Sequence, residues 1–216
     1  MTDLSLRQEL IDTCLAMNAS GINSGTSGNI SVRTSKDCFL ITPSGIPYKA
    51  MTPDQVVSMN IDGSFDGDWK PSSEWRMHAD LYRAREEAGA VLHCHAPHAT
   101  AISCLRRDVP PFHYMIAITG ASTIKCAKYE LFGTQELSDA MIEAFGPSKA
   151  CLLANHGMTC FSKDLTQVLK LGIEIENICQ QYQLACTMGE PVLLSDAEMN
   201  EAHAAFVSYG MQPSKA

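Results

Sequence analysis

The stretch Ala90-Val91-Leu92-His93-Cys94-His95-Ala96 combines an apolar, partly β-branched run with two histidines. Such a run predicts a buried β-strand, in which successive side chains alternate between the two faces of a sheet. Both imidazoles then project from the same face of the strand, with Cα atoms about 6.5–7 Å apart at a rise of about 3.3 Å per residue. This separation suits two nitrogens that bind one metal ion. Cys94 points the other way and is interpreted as a small buried apolar residue.

A third histidine follows another apolar run. His156 stands in Leu152-Leu153-Ala154-Asn155-His156-Gly157. If the two strands are neighbours, three neutral imidazoles enclose one cation and leave a position open, as in catalytic metal sites. An isolated pair of strand histidines also occurs as hydrogen-bonded core residues. The metal hypothesis therefore depends on His156 and on a carboxylate earlier in the chain, Glu74.

Composition places the chain among ordinary globular proteins. Its 216 residues are 45% hydrophobic and 19% charged, which fits one domain over residues 1–216 with a substantial core. The net charge of −8 argues against nucleic acid as a partner. The nine cysteines form no CxxC pair and indicate reduced thiols. With no signal-peptide pattern and no apolar run of the ~20 residues that span a membrane, we expect a cytoplasmic protein.

Helical and strand-like patterns intermix along the chain. Helices are predicted over 4–19, from 71 to about 87, and over 97–106, 134–145, 164–187 and 195–208. Strands are predicted over 30–33, 38–42 and 55–61, besides the two histidine-bearing runs. This mixture predicts a single α/β domain with helices covering a central sheet.

Three segments rich in glycine and hydroxyl side chains precede the histidine strand: Gly25–Asn29, Ser44-Gly45 and Ser72-Ser73. Hydroxyls, glycine-freed amides and a helix start can bind an anion without lysine. Glu74 follows the third segment. As a first-turn acid it would favour the helix dipole by about 0.3–1 kcal/mol. Beside a bound cation it could instead exchange protons with a carbon acid.

Motifs along nearly the whole chain resemble the class II aldolase/adducin family, and most of all its L-fuculose-1-phosphate aldolase branch. The resemblance implies an α/β/α sandwich with a mixed, mostly antiparallel central sheet. It also implies a homotetramer with active sites between subunits. The motifs are Asn23-x-Gly-Thr-x-Gly-Asn29, Leu40-Ile-Thr-Pro-Ser-Gly-Ile-Pro-Tyr48, Pro71-Ser-Ser-Glu-Trp-Arg76, His93-x-His95, His113-Tyr-Met115, Phe132-Gly-Thr134 and Asn155-His-Gly157.

The resemblance also implies roles for individual residues. His93, His95 and His156 would hold a divalent ion, zinc before manganese or cobalt. Glu74 would be a mobile fourth ligand and the proton carrier. Tyr114 of the adjacent subunit would assist at the aldehyde oxygen, and Phe132 and Tyr209 would close over the aldehyde end. Residues at positions where the family binds substrate phosphate are Thr26, Gly28, Asn29, Ser44, Gly45, Ser72 and Ser73.

The reaction implied is reversible cleavage of a ketose 1-phosphate to dihydroxyacetone phosphate and an aldehyde, through a metal-stabilised enediolate. Methylthioribulose-1-phosphate dehydratase and sugar-phosphate 4-epimerase are alternatives on the same scaffold. The epimerase carries aspartate where Glu74 stands, and His113-Tyr114-Met115 favours cleavage over dehydration. A non-enzymatic adducin-like interaction domain need not keep the metal ligands, all of which this chain has. The aldehyde stays open between lactaldehyde, a shorter partner and a thioether.

Overall fold

A single mixed sheet of seven strands organises residues 3–206, the part of the chain that the computed structural model describes. The strands are adjacent in the order β3-β2-β1-β4-β7-β6-β5, and only β5 and β6 pair in parallel. The predicted mostly antiparallel sheet is confirmed. The strands are β1 Asn29–Arg33, β2 Cys38–Ile41, β3 Val57–Asn60, β4 Ala90–Cys94, β5 Cys126–Ala127, β6 Ala150–Leu153 and β7 Gly157–Ser162.

Helices cover both faces of this sheet. Helices α1, α3, α5 and α6 pack against one face, whereas α2 and α4 pack against the other. The predicted α/β/α sandwich is therefore confirmed. In the described part of the chain no helix is both long and apolar enough to cross a membrane. The helices are α1 Asp3–Ala19, α2 Trp75–Ala84, α3 Pro97–Ser103, α4 Gln135–Phe145, α5 Leu165–Met188 and α6 Asp196–Phe206; short 3-10 turns occupy Tyr48–Ala50, Pro53–Gln55 and Tyr114–Thr119.

The two faces of the sheet differ in polarity. On β1 and β4, Ile30 and Leu92 belong to the core under α1 and α5, and Cys94 joins them there as predicted. We call this side the apolar face. The alternate residues point to the side covered by α2 and α4, which we call the mixed face because buried Ser31 and His93 lie among its apolar residues.

The end of β4 lies at the centre of the sheet, and two glycines let its neighbours come close to it. A Cβ on Gly28, just before β1, would lie 2.8 Å from the carbonyl oxygen of His93. A Cβ on Gly157, where β7 begins, would lie 2.5 Å from the carbonyl oxygen of Cys94. Any side chain at either position would push a neighbouring strand away from the histidines.

The prediction for the helix after Pro71 was wrong at both ends. Helix α2 begins at Trp75, and Glu74 stands at its N-cap position without a side-chain cap hydrogen bond. The serines lie before the helix, where Ser72 Oγ accepts a hydrogen bond from the backbone N–H of Glu74 (3.3 Å). The helix ends at Ala84 because Arg85 adopts an extended conformation, and its side chain bonds to the carbonyl oxygens of residues 146 and 148.

The two histidine-bearing strands are not neighbours. Strand β7, which the sequence analysis did not predict, pairs with β4 on one side and β6 on the other. His156 lies in the tight turn between β6 and β7 rather than on a strand. The predicted strand over 55–61 is shorter, because Pro53–Gln55 form a 3-10 turn before β3. His156 therefore reaches the end of β4 from a hairpin turn.

Candidate active site

Three histidines converge at the end of β4. His93 is close to the last residue of the strand, His95 follows one residue beyond it, and His156 projects from the β6–β7 turn. Their ring centroids lie 4.7–5.1 Å apart, with each pair edge-on. One ligand nitrogen from each ring lies within 4.8 Å of the others, so the group can hold a metal ion. The structure thus brings together the three predicted metal ligands.

The chemistry of these donors fits a cation. The Nδ1 of His93 donates to the carbonyl oxygen of Met158 (3.0 Å), which leaves Nε2 as a bare acceptor. Burial lowers the pKa of His93 to about 3 and also lowers the pKa of His95, so both rings are neutral. Within residues 3–206, buried His93 Nε2, His95 Nε2 and Glu74 Oε1 have no hydrogen-bond partner. Each such buried acceptor costs about 1–3 kcal/mol, which a divalent cation would offset.

Glu74 lies against two of the histidines. Its Oε2 accepts a hydrogen bond from Asn29 Nδ2 (2.9 Å) and lies 3.3 Å from His93 Nε2. Its Oε1 lies 3.2 Å from His156 Nε2. Burial raises the pKa of Glu74, but the two imidazoles and the Asn29 amide outweigh it and hold the pKa below its usual range. An ionised carboxylate is thus held beside the three histidines.

A small cavity of about 80 Å³ lies on one side of Glu74. Backbone hydrogen bonds bring its walls together: Ser44 N donates to Lys70 O (2.9 Å), and Ser72 N donates to Thr42 O (3.0 Å). Among residues 3–206 no lysine or arginine lines it, so the donors described there are hydroxyls and amides. Its lining includes all the predicted phosphate-binding residues, namely Thr26, Gly28, Asn29, Ser44, Gly45, Ser72 and Ser73.

Asn29 has a second task that the sequence analysis missed. Its side chain donates to Glu74 and also accepts a hydrogen bond from His78 Nε2 (2.6 Å). The amide carries one further N–H besides the one that it donates to Glu74. Asn29 thus connects the hydroxyl-lined cavity with the carboxylate.

A larger cavity of about 360 Å³ opens on the other side of Glu74. It shares Ser27, Ser73 and Glu74 with the small cavity. The sequence analysis predicted Phe132 in this region but missed three residues of its wall. A signal for one of them exists, because asparagine tolerates the left-handed backbone conformation better than most residues, and Asn155 has φ = 54°. The lining residues besides the shared three are His95, Tyr129, Glu130, Phe132, Asn155 and His156.

Two residues that were predicted for this site are not placed there by the described part of the structure. Tyr114 begins a 3-10 turn, is 51% exposed, and does not line either cavity in the described part of its own chain. Tyr209 lies outside the described residues. The predicted roles of both residues stay predictions.

Comparisons with known proteins define the class to which this site belongs. The family described as "Class II Aldolase and Adducin N-terminal domain" matches residues 8–183. The chain therefore belongs to this family. Over 208 residues it is 43% identical to the L-fuculose phosphate aldolase of Escherichia coli K12, covering 96% of each chain.

Two further similarities extend the comparison. Over 207 residues the chain is 42% identical to the 5-methylthioribulose-1-phosphate/5-deoxyribulose-1-phosphate aldolase of Rhodospirillum rubrum, covering 96% of this chain and 93% of that one. A solved structure of an L-fuculose 1-phosphate aldolase matches with a TM-score of 0.91 at 36% identity, covering 96% of this chain and 98% of that one. These relatives are named aldolases, and they differ in the ketose phosphate that their names specify.

Proposed function

We propose that this protein is a metal-dependent aldolase that reversibly cleaves a ketose 1-phosphate to dihydroxyacetone phosphate and an aldehyde. One observation carries the proposal. The histidine group and Glu74 lie between a small cavity of hydroxyls and amides and a larger cavity with an aromatic wall. A phosphorylated ketose has a matching order of groups, with the phosphate at one end and a less polar carbon chain at the other. The names of the relatives support the same reaction.

His93, His95 and His156 would hold the divalent cation, and zinc is our first candidate because neutral imidazoles are ligands that it favours. When bound, the cation supplies a Lewis acid for the ketose carbonyl. Three protein ligands leave a position for substrate oxygen. Glu74, with Oε1 free of hydrogen bonds within residues 3–206, would complete the ligand set in the absence of substrate.

Glu74 would carry the proton. Cleavage of the C3–C4 bond turns the C4 hydroxyl into an aldehyde and leaves the electron pair on the phosphorylated three-carbon fragment. The C4 hydroxyl proton, released with the assistance of Tyr114, would be taken up by the ionised carboxylate of Glu74, which would then deliver a proton to C3 of that fragment. In the reverse direction the carboxylate removes the same proton. The anchored Oε2 and the unpartnered Oε1 of Glu74 support this division between a fixed and an exchanging oxygen.

The two cavities would orient the substrate. The hydroxyl-lined cavity would bind the phosphate, with Thr26, Gly28, Asn29, Ser44, Gly45, Ser72 and Ser73 in its wall. The aldehyde end would lie against Phe132 in the larger cavity, with Tyr209 closing over it.

We also propose a homotetramer whose sites lie between subunits, with Tyr114 of one subunit assisting at the C4 oxygen in the next. The exposed ring of Tyr114 supports this role. A cytoplasmic location fits the nine free cysteines.

The test is product analysis with purified zinc-loaded protein and three ketose phosphates: L-fuculose 1-phosphate, 5-deoxyribulose 1-phosphate and 5-methylthioribulose 1-phosphate. We expect dihydroxyacetone phosphate in equal amount to one aldehyde, which is lactaldehyde, acetaldehyde or methylthioacetaldehyde respectively. The preferred substrate identifies the aldehyde. Removal of the metal with a chelator should abolish turnover, and added zinc should restore it.

Two outcomes would contradict the aldolase proposal. A dehydrated diketone phosphate from 5-methylthioribulose 1-phosphate would identify a dehydratase, and an epimeric ketose phosphate would identify an epimerase. Protein that binds no divalent ion and turns over none of the three substrates would point to a non-enzymatic interaction domain.

A further inference from the structure

A row of buried polar side chains runs away from Glu74 into the mixed face. Glu74, His78 and Tyr82 are spaced four residues apart along α2 and the residue before it, and Asn29 and Ser31 are spaced two apart on β1. Four helical residues rise about 6 Å, and two strand residues rise about 6.6 Å. The two rows therefore stay in register, and all five residues are at most 4% exposed.

Four short hydrogen bonds connect this row. Asn29 Nδ2 lies 2.9 Å from Glu74 Oε2, and His78 Nε2 lies 2.6 Å from Asn29 Oδ1. Ser31 Oγ lies 2.7 Å from His78 Nδ1 and 2.8 Å from the hydroxyl of Tyr82. The polar chain thus extends from Glu74 through Asn29, His78 and Ser31 to Tyr82.

Donor and acceptor chemistry gives this polar chain one direction. The Glu74 carboxylate only accepts, so the amide nitrogen of Asn29 must face it and the amide oxygen must face His78. That oxygen also only accepts, so Nε2 of His78 carries the proton. Burial lowers the pKa of His78 to about 4, which keeps the ring neutral and leaves Nδ1 as an acceptor.

The remaining bonds follow from the neutral ring. Ser31 donates its only O–H to Nδ1 of His78, so its oxygen accepts from Tyr82. Burial raises the pKa of Tyr82, so its hydroxyl keeps its proton and remains a donor. Each member of the chain therefore determines the orientation of the next.

We propose that His78 is a positioning residue for Glu74, because its Nε2–H holds the Asn29 amide in the one orientation that directs an N–H at the carboxylate. The kinetic consequence rests on the proposed function of Glu74 as proton carrier, whereas the orientation itself does not. His78 lines neither cavity among residues 3–206, so it acts through Asn29 rather than on the substrate.

Loss of the His78 donor would release the Asn29 amide. Its Oδ1 would then be a buried acceptor without a partner, so the amide would shift towards another donor. That shift would draw its N–H away from the Glu74 carboxylate. Glu74 would leave its place between His93 and the substrate cavity, while the three histidines would stay where they are.

The kinetic test compares His78→Leu, which removes the donor, with His78→Gln, whose amide nitrogen can take the place of Nε2. For His78→Leu we expect kcat to fall about 10- to 100-fold, the range typical for residues that orient groups at a metal site. The zinc content should not change, because the three histidines are untouched, whereas KM for the ketose phosphate should rise, because the Asn29 amide also lines the phosphate cavity. His78→Gln should recover most of the lost kcat.

Two further variants complete the kinetic test. Tyr82→Phe removes only the last hydroxyl of the chain and should lower kcat less than His78→Leu does. Ser148→Ala is the control. Ser148 is as buried as the residues of the polar chain, but its hydroxyl donates to Ala150 O and is not part of that polar chain. It should leave kcat unchanged. Tyr82→Phe and His78→Gln keep the test valid if His78→Leu does not fold.

A spectroscopic readout needs no substrate. Nitrogen NMR of the zinc-loaded protein should show His78 as a neutral ring with the proton on Nε2. A proton on Nδ1, or wild-type kcat in folded His78→Leu, would overturn the proposal. If the protein cleaves no ketose phosphate, the proposed function fails. The NMR result still decides whether the hydrogen bonds of the polar chain run in the inferred direction.

Discussion

The two faces of the central sheet carry different kinds of interior. Under α1, α3, α5 and α6, the strands contribute residues such as Ile30, Leu92 and Met158, which pack as an apolar core. Under α2 and α4, the alternate positions of the same strands hold Ser31, His93 and other polar residues. The same three central strands therefore serve packing on one side and a polar site on the other.

This difference shows which side of the sheet holds the hydrogen-bonded polar side chains of the site. Buried polar groups lower stability unless they are hydrogen-bonded, and those of the mixed face are bonded in a chain that ends at Glu74. The atoms of this face that lack partners within residues 3–206 include His93 Nε2 and Glu74 Oε1, which face the proposed metal position. We infer that both faces contribute apolar packing and that only the mixed face supplies chemistry.

The largest effect should come from Glu74→Gln on the mixed face. Glutamine keeps the size of the side chain but removes the exchangeable proton of the carboxyl group. We expect kcat to fall about 10²- to 10⁴-fold, the contribution typical of a general acid or base. Zinc content should be retained, because the three histidines are untouched. Steady-state kinetics together with metal analysis measure both quantities.

A control on the apolar face sharpens this comparison. Ile175 on α5 is fully buried, and Ile175→Val should lower the free energy of unfolding by about 0.5–1.5 kcal/mol while kcat stays unchanged. Wild-type turnover in Glu74→Gln would reduce Glu74 to a residue that stabilises the start of α2. A large loss of kcat in Ile175→Val would remove the functional distinction between the faces.

The sequence predicts the apolar face and the core of the site better than it predicts their connections. The apolar, partly β-branched run Ala90–Cys94 correctly indicates a buried strand, because this pattern is local. His156 is different: its position depends on β7, which pairs with a strand about 65 residues earlier in the chain. No local pattern records such a pairing, so the sequence analysis made the convergence conditional on the two histidine-bearing strands being neighbours, and in the structure β7 lies between them.

The boundary of α2 was missed for a related reason. Serine and glutamate before an apolar run are typical of a helix start, yet the carboxylate of Glu74 faces His93 and His156 instead of capping the helix. A signal for the buried polar chain was present in the sequence. Residues 74, 78 and 82 share helical spacing, and residues 29 and 31 share strand spacing. Only the packing of α2 on β1 shows that these two rows meet.

The second prediction concerns acid stability of the mixed face. The pKa of His78 is about 4 in the folded protein, where burial opposes its charge, and about 6.5 in an unfolded chain. As pH falls below about 6.5, the unfolded state takes up this proton first, so stability is lost progressively down to about pH 4. The contribution is about 3 kcal/mol.

His78→Gln removes this titration and tests the prediction. Between pH 7 and pH 4, the free energy of unfolding measured in urea should fall by about 3 kcal/mol more for the wild type than for His78→Gln. Both proteins share every other titrating group, so the difference isolates His78. Equal losses in the two proteins would show that the buried ring is not kept neutral by folding.

The smaller of the two pH effects should appear on the apolar face, at alkaline pH. Burial raises the pKa of the Cys179 thiol on α5, so it stays protonated in the folded protein while an unfolded cysteine ionises near pH 8.5. The unfolded state therefore gains about 2 kcal/mol from this thiol at pH 10, and Cys179→Ala should lose that much less stability between pH 7 and pH 10. Leu184→Ala, at an exposed position of the same helix that carries no titrating group, is the control, and its stability should vary with pH as that of the wild type does. If Cys179→Ala also follows the wild type, the two faces do not set opposite pH limits, and the acid limit belongs to the mixed face alone.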